Sequence, residues 1–231
     1  AEILGNLAAV SKHKKHETDE VIHISANPKY GSEKKGAPTN YFLVAARERI
    51  KVNCDLQHVN VVLCCDPKIF THTNPLKGLD RGGAFIWEAN VSEKEIWERI
   101  PKKYRQYIID NEIKLYSLNG FEVAHAATTN ESLQTRMQGN SFLGAFFRVS
   151  SFLKDHGIGQ EKFFETVLTQ YNKKFGRFGD DVVASNMDVM KKGHDNTKTV
   201  NYGKIEDLDN STMTGNLMLP RAVATEKTVD G

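Results

Sequence analysis

The sequence predicts an α/β protein built on a doubly wound, mostly parallel sheet, with an extended tail at its C-terminal end. Three observations carry that expectation. Short runs read as strands: "VNVVLCC" (Val59–Cys65) is rich in β-branched residues and apolar at all but Asn60, as a strand covered on both faces is, and "AFIWEA" (Ala84–Ala89) is apolar at all but Glu88. Helical patterns with a 3.6-residue apolar period separate or follow them, as in "QEKFFETVLTQYNKKF". Past Gly193 no sustained period survives. Alternating strands and helices imply parallel pairing with crossover helices.

At the first residues, Ile3, Leu4, Leu7 and Ala8 share one face of a helix. That helix has neither a cap nor a preceding strand, so the first strand of the sheet is expected to lie outside these residues. "VIHIS" (Val21–Ser25) reads as a short strand after a charged stretch. A Gly/Pro/Lys turn then leads into "TNYFLVAA", apolar on both faces and expected to be a buried strand. "VNVVLCC" follows, closed by Asp66-Pro67, where Asp66 is expected to cap the segment that Pro67 opens. "LDRGG" reads as a turn before the strand Ala84–Ala89. Ser92 and Glu95 have capping-box spacing, Pro101 suits the first position of the next helix, and "IKLYSL" (Ile113–Leu118) is a further strand. A long apolar helix is expected from about Asn140, its cap, to His156, ended by Gly157. A last helix, capped by Asp180 or Asp181, is expected to stop at Gly193. The organisation is therefore a Rossmann-like domain over residues 1–193 and an extended tail or linker over 194–231.

Bulk properties narrow the function. With 231 residues and 39% hydrophobic content the chain can bury a core. Thirty-one basic residues against 29 acidic ones leave a net charge of +2, without the basic stripe of a nucleic-acid reader. No run of 18 apolar residues proposes a membrane span. Three cysteines (Cys54, Cys64, Cys65) make no disulfide framework and no four-cysteine cluster motif, which favours the cytoplasm and argues against an iron–sulfur centre on this chain.

Five motifs in order resemble one family. Tyr30, Gly31, Glu33, Lys35, Gly36, Ala37 and Pro38 match "YG-x-E-x-(K/R)-G-(G/A)-P". "NVVLCCDP" matches a strand closed by Asp66-Pro67, and Leu79, Gly82, Gly83 and Ile86 match "L-x-x-GG-x-x-I". "GNSFLGAFF" is similar to "N-x-x-x-LGA" through Asn140, Leu143, Gly144 and Ala145, with two residues rather than three between Asn140 and Leu143. With the opening helix "AEILGNLA", these resemble the γ subunit or domain of the thiamine-diphosphate-dependent 2-oxoacid:ferredoxin oxidoreductases over roughly residues 1–193. The family's glycine-rich turn ahead of that helix falls outside these residues, and the tail after Gly193 has no counterpart.

The resemblance implies a multi-subunit enzyme that oxidatively decarboxylates a 2-oxoacid and passes the acyl group to coenzyme A. Thiamine diphosphate, Mg and 4Fe-4S clusters are expected on partner α, β and ferredoxin-like δ subunits or domains, with ferredoxin as acceptor. This chain is expected to assist coenzyme A binding. The candidate contacts are Lys34, Lys35 and Gly36, where ammonium groups and accessible backbone amides suit phosphates, with Thr39 and Asn40 as hydrogen-bonding neighbours. The plainer alternative is a solvated turn in which Thr39 and Asn40 cap their own backbone.

No catalytic residue or metal ligand is expected. His13 and His16, three apart and near His23, stand among lysines that repel a cation. Cys64 and Cys65 read as small apolar strand residues. Two rivals stay open: a stand-alone nucleotide-binding dehydrogenase, which needs a glycine-rich turn after its first strand, and a purely structural subunit.

Overall fold

The computed structural model describes residues 2–11, 22–29, 40–51, 54–128 and 130–203. Helix α1 (Glu2–Ser11) is followed by strands β1 (His23–Lys29) and β2 (Asn40–Ala46). Strands β3 (Val59–Cys64) and β4 (Leu79–Glu88) lead to helices α2 (Glu93–Arg99) and α3 (Lys102–Asp110) and to β5 (Lys114–Leu118). Helices α4 (Gly120–Ala127), α5 (Glu131–Val149), α6 (Phe152–Asp155), α7 (Gln160–Phe175) and α8 (Asp180–Asn196) come next, then a two-residue strand β6 (Lys198–Thr199).

The main sheet has the order β3-β4-β5-β6, parallel except for β6 at one edge. Period-2 alternation in β4 sends its side chains into two separate cores. Phe85 and Trp87 pack with Ile96, Trp97, Ile100 and Ile108 from α2 and α3. Ile86 faces the other way, onto Phe142 and Ala145 of α5. The result is a mixed α/β fold with helices on both faces of the sheet. A third core joins α1, α5, α7 and α8 through Leu7, Phe147, Phe163, Val167 and Met190.

Helices α5 and α8 cross at glycines. A Cβ on Gly144 would sit 2.0 Å from the Met190 carbonyl oxygen, and one on Gly193 would sit 2.0 Å from that of Ser141. Beside the crossing, Asn140 donates to Asn186 Oδ1 and accepts from the Tyr171 hydroxyl at 3.1 Å, tying α5, α7 and α8 together.

Some expectations hold. Ser92 Oγ accepts from Glu95 N–H and opens α2. Gly157 (φ +61°) ends the α5–α6 run. Others are corrected. Pro101 stands one place earlier than expected, at the cap of α3 rather than at its first position. "TNYFLVAA" is not a buried strand of the main sheet: β2 pairs antiparallel with β1 in a separate hairpin, whose Ile24 and Leu43 reach the helical core. Burial against one surface suffices for such a run, and composition alone does not distinguish it from burial on two.

"LDRGG" is the first half of β4 rather than a turn. Between Val59 and Val61 of β3 the register advances from Leu79 to Ala84 on β4, and Gly82 takes φ +72° within that bulge. Asn140 is no cap, since it lies in the interior of α5, which begins at Glu131. Gly179, not an aspartate, stands at the α8 cap, with Asp180 and Asp181 in the first turn. Gly193 does not stop α8, which runs to Asn196. The chain beyond it joins the sheet: Val200 N–H donates to Leu115 O at 2.8 Å, and Tyr202 stacks on Trp97 with ring centres 5.0 Å apart. Residues 204–231 lie outside the described residues. Among the described residues, no helix is long and apolar enough to cross a membrane.

Candidate functional site at the strand ends

Because β3, β4 and β5 are parallel, their C-terminal ends meet at one edge, the place where such sheets receive ligands. A cleft of about 550 Å³ opens there, lined by Pro67, Glu88, Asn90, Arg99, Phe121 and His125 among others.

Glu88, the last residue of β4, is only 2% exposed. Its Oε2 accepts from Gly120 N–H at 3.0 Å and from Gln138 Nε2 at 3.2 Å, and its Oε1 accepts from Phe121 N–H at 3.4 Å. Burial raises its carboxyl above the ordinary value, while the hydrogen bonds from Gln138, Phe121 and Gly120 work in the opposite direction. Gly120 makes the approach possible, since a Cβ there would fall 2.8 Å from both Glu88 Oε2 and Ser141 Oγ. Gln138 of α5 also donates to Cys65 O at 3.3 Å, linking the ends of β3 and β4. Asn119 caps α4 by accepting from Glu122 N–H at 3.1 Å.

Asp66 is not the cap that was expected, since Lys68 stands at the cap of the 3-10 turn over Ile69–Thr71 and Asp66 acts just ahead of it. Its Oδ1 accepts from Lys68 N–H at 2.8 Å at the entry to that turn, and its carbonyl oxygen accepts from Trp87 Nε1 at 3.0 Å. Cys64 is buried, and burial pushes its thiol up to about 12, in keeping with a packing role. Arg99, the cation of the cleft, is paired with Glu95 at 2.7 Å. Among the described residues, no group of three His, Cys, Asp or Glu side chains gathers as a metal site. His13 and His16 fall outside those residues.

Of the candidate coenzyme A contacts, Asn40 is described and Lys34, Lys35, Gly36 and Thr39 are not. Asn40 opens β2, is exposed, and pairs in register with Lys29, which is itself ion-paired to Asp55. The two lysines fall in sequence between β1 and β2, which pair in a sheet separate from the one whose ends form the cleft. The sequence reading passed over Glu88, Gln138 and Asn119. The one available signal was Glu88 itself, an acid closing the apolar run "AFIW".

Comparison with known proteins adds four findings. The family model described as pyruvate ferredoxin/flavodoxin oxidoreductase matches residues 18–196. A pyruvate-flavodoxin oxidoreductase of Trichormus variabilis is 26% identical over 167 residues, which are 72% of this chain and 13% of that protein. The common γ subunit of the pyruvate/ketoisovalerate oxidoreductases of Thermococcus kodakarensis is 28% identical over 81 residues, 35% of this chain and 44% of that subunit. The chain thus spans only a small part of the long relatives it matches. Among solved structures, the pyruvate oxidoreductase subunit PORC of Thermotoga maritima superposes with a TM-score of 0.58, covering 87% of this chain and 89% of that one at 16% identity, and so shares the fold.

Proposed function

Since the chain belongs to the pyruvate ferredoxin/flavodoxin oxidoreductase family, we propose that it is the γ-type part of an enzyme that oxidatively decarboxylates a 2-oxoacid to an acyl-CoA. The observation that carries this reading is the family match across residues 18–196, which includes the lysine-bearing turn. In this reading the fold is the doubly wound, Rossmann-like module, and the enzyme works in the cytoplasm.

The electron-carrying centres belong to partner α, β and δ subunits or domains, which hold thiamine diphosphate, Mg and 4Fe-4S clusters and pass electrons to ferredoxin or flavodoxin. The chemistry of this chain agrees with that division. Three cysteines fall short of a four-thiolate ligand set, and one of them, Cys64, is buried as a thiol.

The chain's own contribution is coenzyme A contact through Lys34, Lys35, Gly36, Thr39 and Asn40. A hairpin loop with two adjacent ammonium groups suits the diphosphate or the 3′-phosphate. The rival, a subunit that only assembles its partners, draws support from the hairpin's separation from the strand-end sheet. Equilibrium titration of the intact enzyme with coenzyme A, comparing wild type with the double variant Lys34→Ala/Lys35→Ala, distinguishes them. Coenzyme A contact predicts weakened binding in the variant, and assembly alone predicts unchanged binding.

A further inference from the structure

A helix that follows a parallel strand begins with unpaired amides, and those amides are where sheets of this kind hold a ligand's phosphate. In α4 the amides of Gly120, Phe121 and Glu122, which have no partner within the helix, are already satisfied by side chains of the protein. Gly120 N–H and Phe121 N–H donate to Glu88, Glu122 N–H donates to Asn119 Oδ1, and Val123 N–H donates to Asn119 O at 3.3 Å. We infer that Glu88 is a resident anion: its carboxylate occupies the phosphate position at α4 and makes the strand-end cleft select a neutral or cationic hydrogen-bonding group over a phosphate.

The surroundings are built for that carboxylate. Gln138 contributes a third donor from α5, and the missing side chain of Gly120 leaves room for the oxygen. Little in the cleft compensates for a second anion. Arg99 is already paired with Glu95, and Glu122 adds another carboxylate to the lining. A phosphate entering here would meet two like charges and no free backbone donor at α4. An amide, amine or hydroxyl group would instead find acceptors, with Phe121 as an apolar wall. In this cleft, then, a ligand's polar but unphosphorylated end is the part that fits. The inference stands independently of the assignment of coenzyme A to the lysine loop.

The test uses inorganic phosphate as probe on the intact enzyme, with backbone hydrogen exchange reporting on the peptide that spans Gly120–Glu122. Phosphate should leave exchange of that peptide unchanged in wild type. In Glu88→Ala, which vacates the site, phosphate should slow exchange there and bind at least tenfold more tightly at that position than in wild type. Formate, which carries the deleted carboxylate, should do the same, whereas chloride at equal ionic strength should not. In Glu88→Gln, whose side chain still fills the position although its single carbonyl oxygen can replace only one of the two carboxylate oxygens, phosphate should leave the peptide unprotected.

Phosphate protection of the peptide in wild type overturns the inference by itself, and so does a Glu88→Ala protein in which phosphate and formate change nothing. Should Glu88→Ala fail to fold, the wild-type and Glu88→Gln measurements decide, with protection in either one overturning it. Binding of phosphate at the lysine loop appears in different peptides and concerns the coenzyme A reading alone.

Discussion

Replacing Gly193 by alanine tests the close crossing of α8 with α5. In an open helix the change is favourable by about 1 kcal/mol, because alanine loses less conformational freedom than glycine. Here the new Cβ would lie 2.0 Å from Ser141 O and 2.5 Å from its carbonyl carbon and Cα, where ordinary contact begins at 3.4 Å. The obstructing atoms are backbone, so no rotamer change relieves them and α5 must move away from α8 by more than an ångström. That displacement also loosens the neighbouring Gly144–Met190 contact and the Ala145 and Phe142 packing beneath the sheet. Overpacking costs about 1–3 kcal/mol when side chains can adjust, and with backbone on both sides the upper end applies. The expected net loss is about 2 kcal/mol, or a fall in Tm of roughly 4–8 °C for a domain of this size. Gly139→Ala is the matched control: it lies in α5, is exposed, and has nothing within 4 Å of its Cβ, so it should gain up to about 1 kcal/mol. Denaturant and thermal unfolding of both variants should give opposite signs. A Gly193→Ala protein as stable as wild type would refute the tight crossing.

Two further outcomes follow from the titrating groups. Burial raises the Glu88 carboxyl in the folded state, so the folded protein holds that proton more tightly than the unfolded chain, and the contribution to stability is lost as pH rises through the raised value. The stability of Glu88→Gln relative to wild type should therefore increase as pH rises above the ordinary glutamate value of about 4, read from denaturant midpoints, and a difference that stays flat with pH would contradict the raised carboxyl. Cys64, buried and with its thiol pushed up to about 12, should resist iodoacetamide at a mildly alkaline pH at which exposed Cys54 is alkylated; peptide mapping that finds both modified at equal rates would contradict the packing around Cys64.

The parallel core of the fold was legible because its signals are local. Val59–Cys64 is apolar at every position but Asn60 and Ala84–Trp87 at every position, Ser92 and Glu95 form their cap within four residues, and Gly157 marks a helix end by its own backbone angle. What stayed hidden depends on partners distant in sequence. Gly193 looks like any helix-ending glycine until Ser141 is seen against it, and Asn140 looks like a cap until Asn186 and Tyr171 surround it. The strand Asn40–Ala46 carries the same composition in a hairpin as it would in a sheet centre. Arg105 reads as a surface charge on α3, yet it is 1% exposed and lies over the ring of Trp97. The candidate site divides in the same way. The family motifs drew attention to the lysine turn, whereas Glu88 gains its meaning from Gly120, 32 residues on, and from Gln138 on a third element.

The central claim is that this chain serves coenzyme A within a 2-oxoacid oxidoreductase without itself meeting the 2-oxoacid. Steady-state kinetics of the intact enzyme carrying Lys34→Ala/Lys35→Ala, with each substrate varied in turn, test it most directly. Each ammonium–phosphate contact is worth about 1–3 kcal/mol, and about 1.4 kcal/mol is tenfold in affinity. The KM for coenzyme A should therefore rise by roughly tenfold or more, while the KM for the 2-oxoacid and the decarboxylation step run without coenzyme A stay as in wild type. Both KM values remaining within about twofold of wild type would show the turn to be solvated surface and contradict the claim.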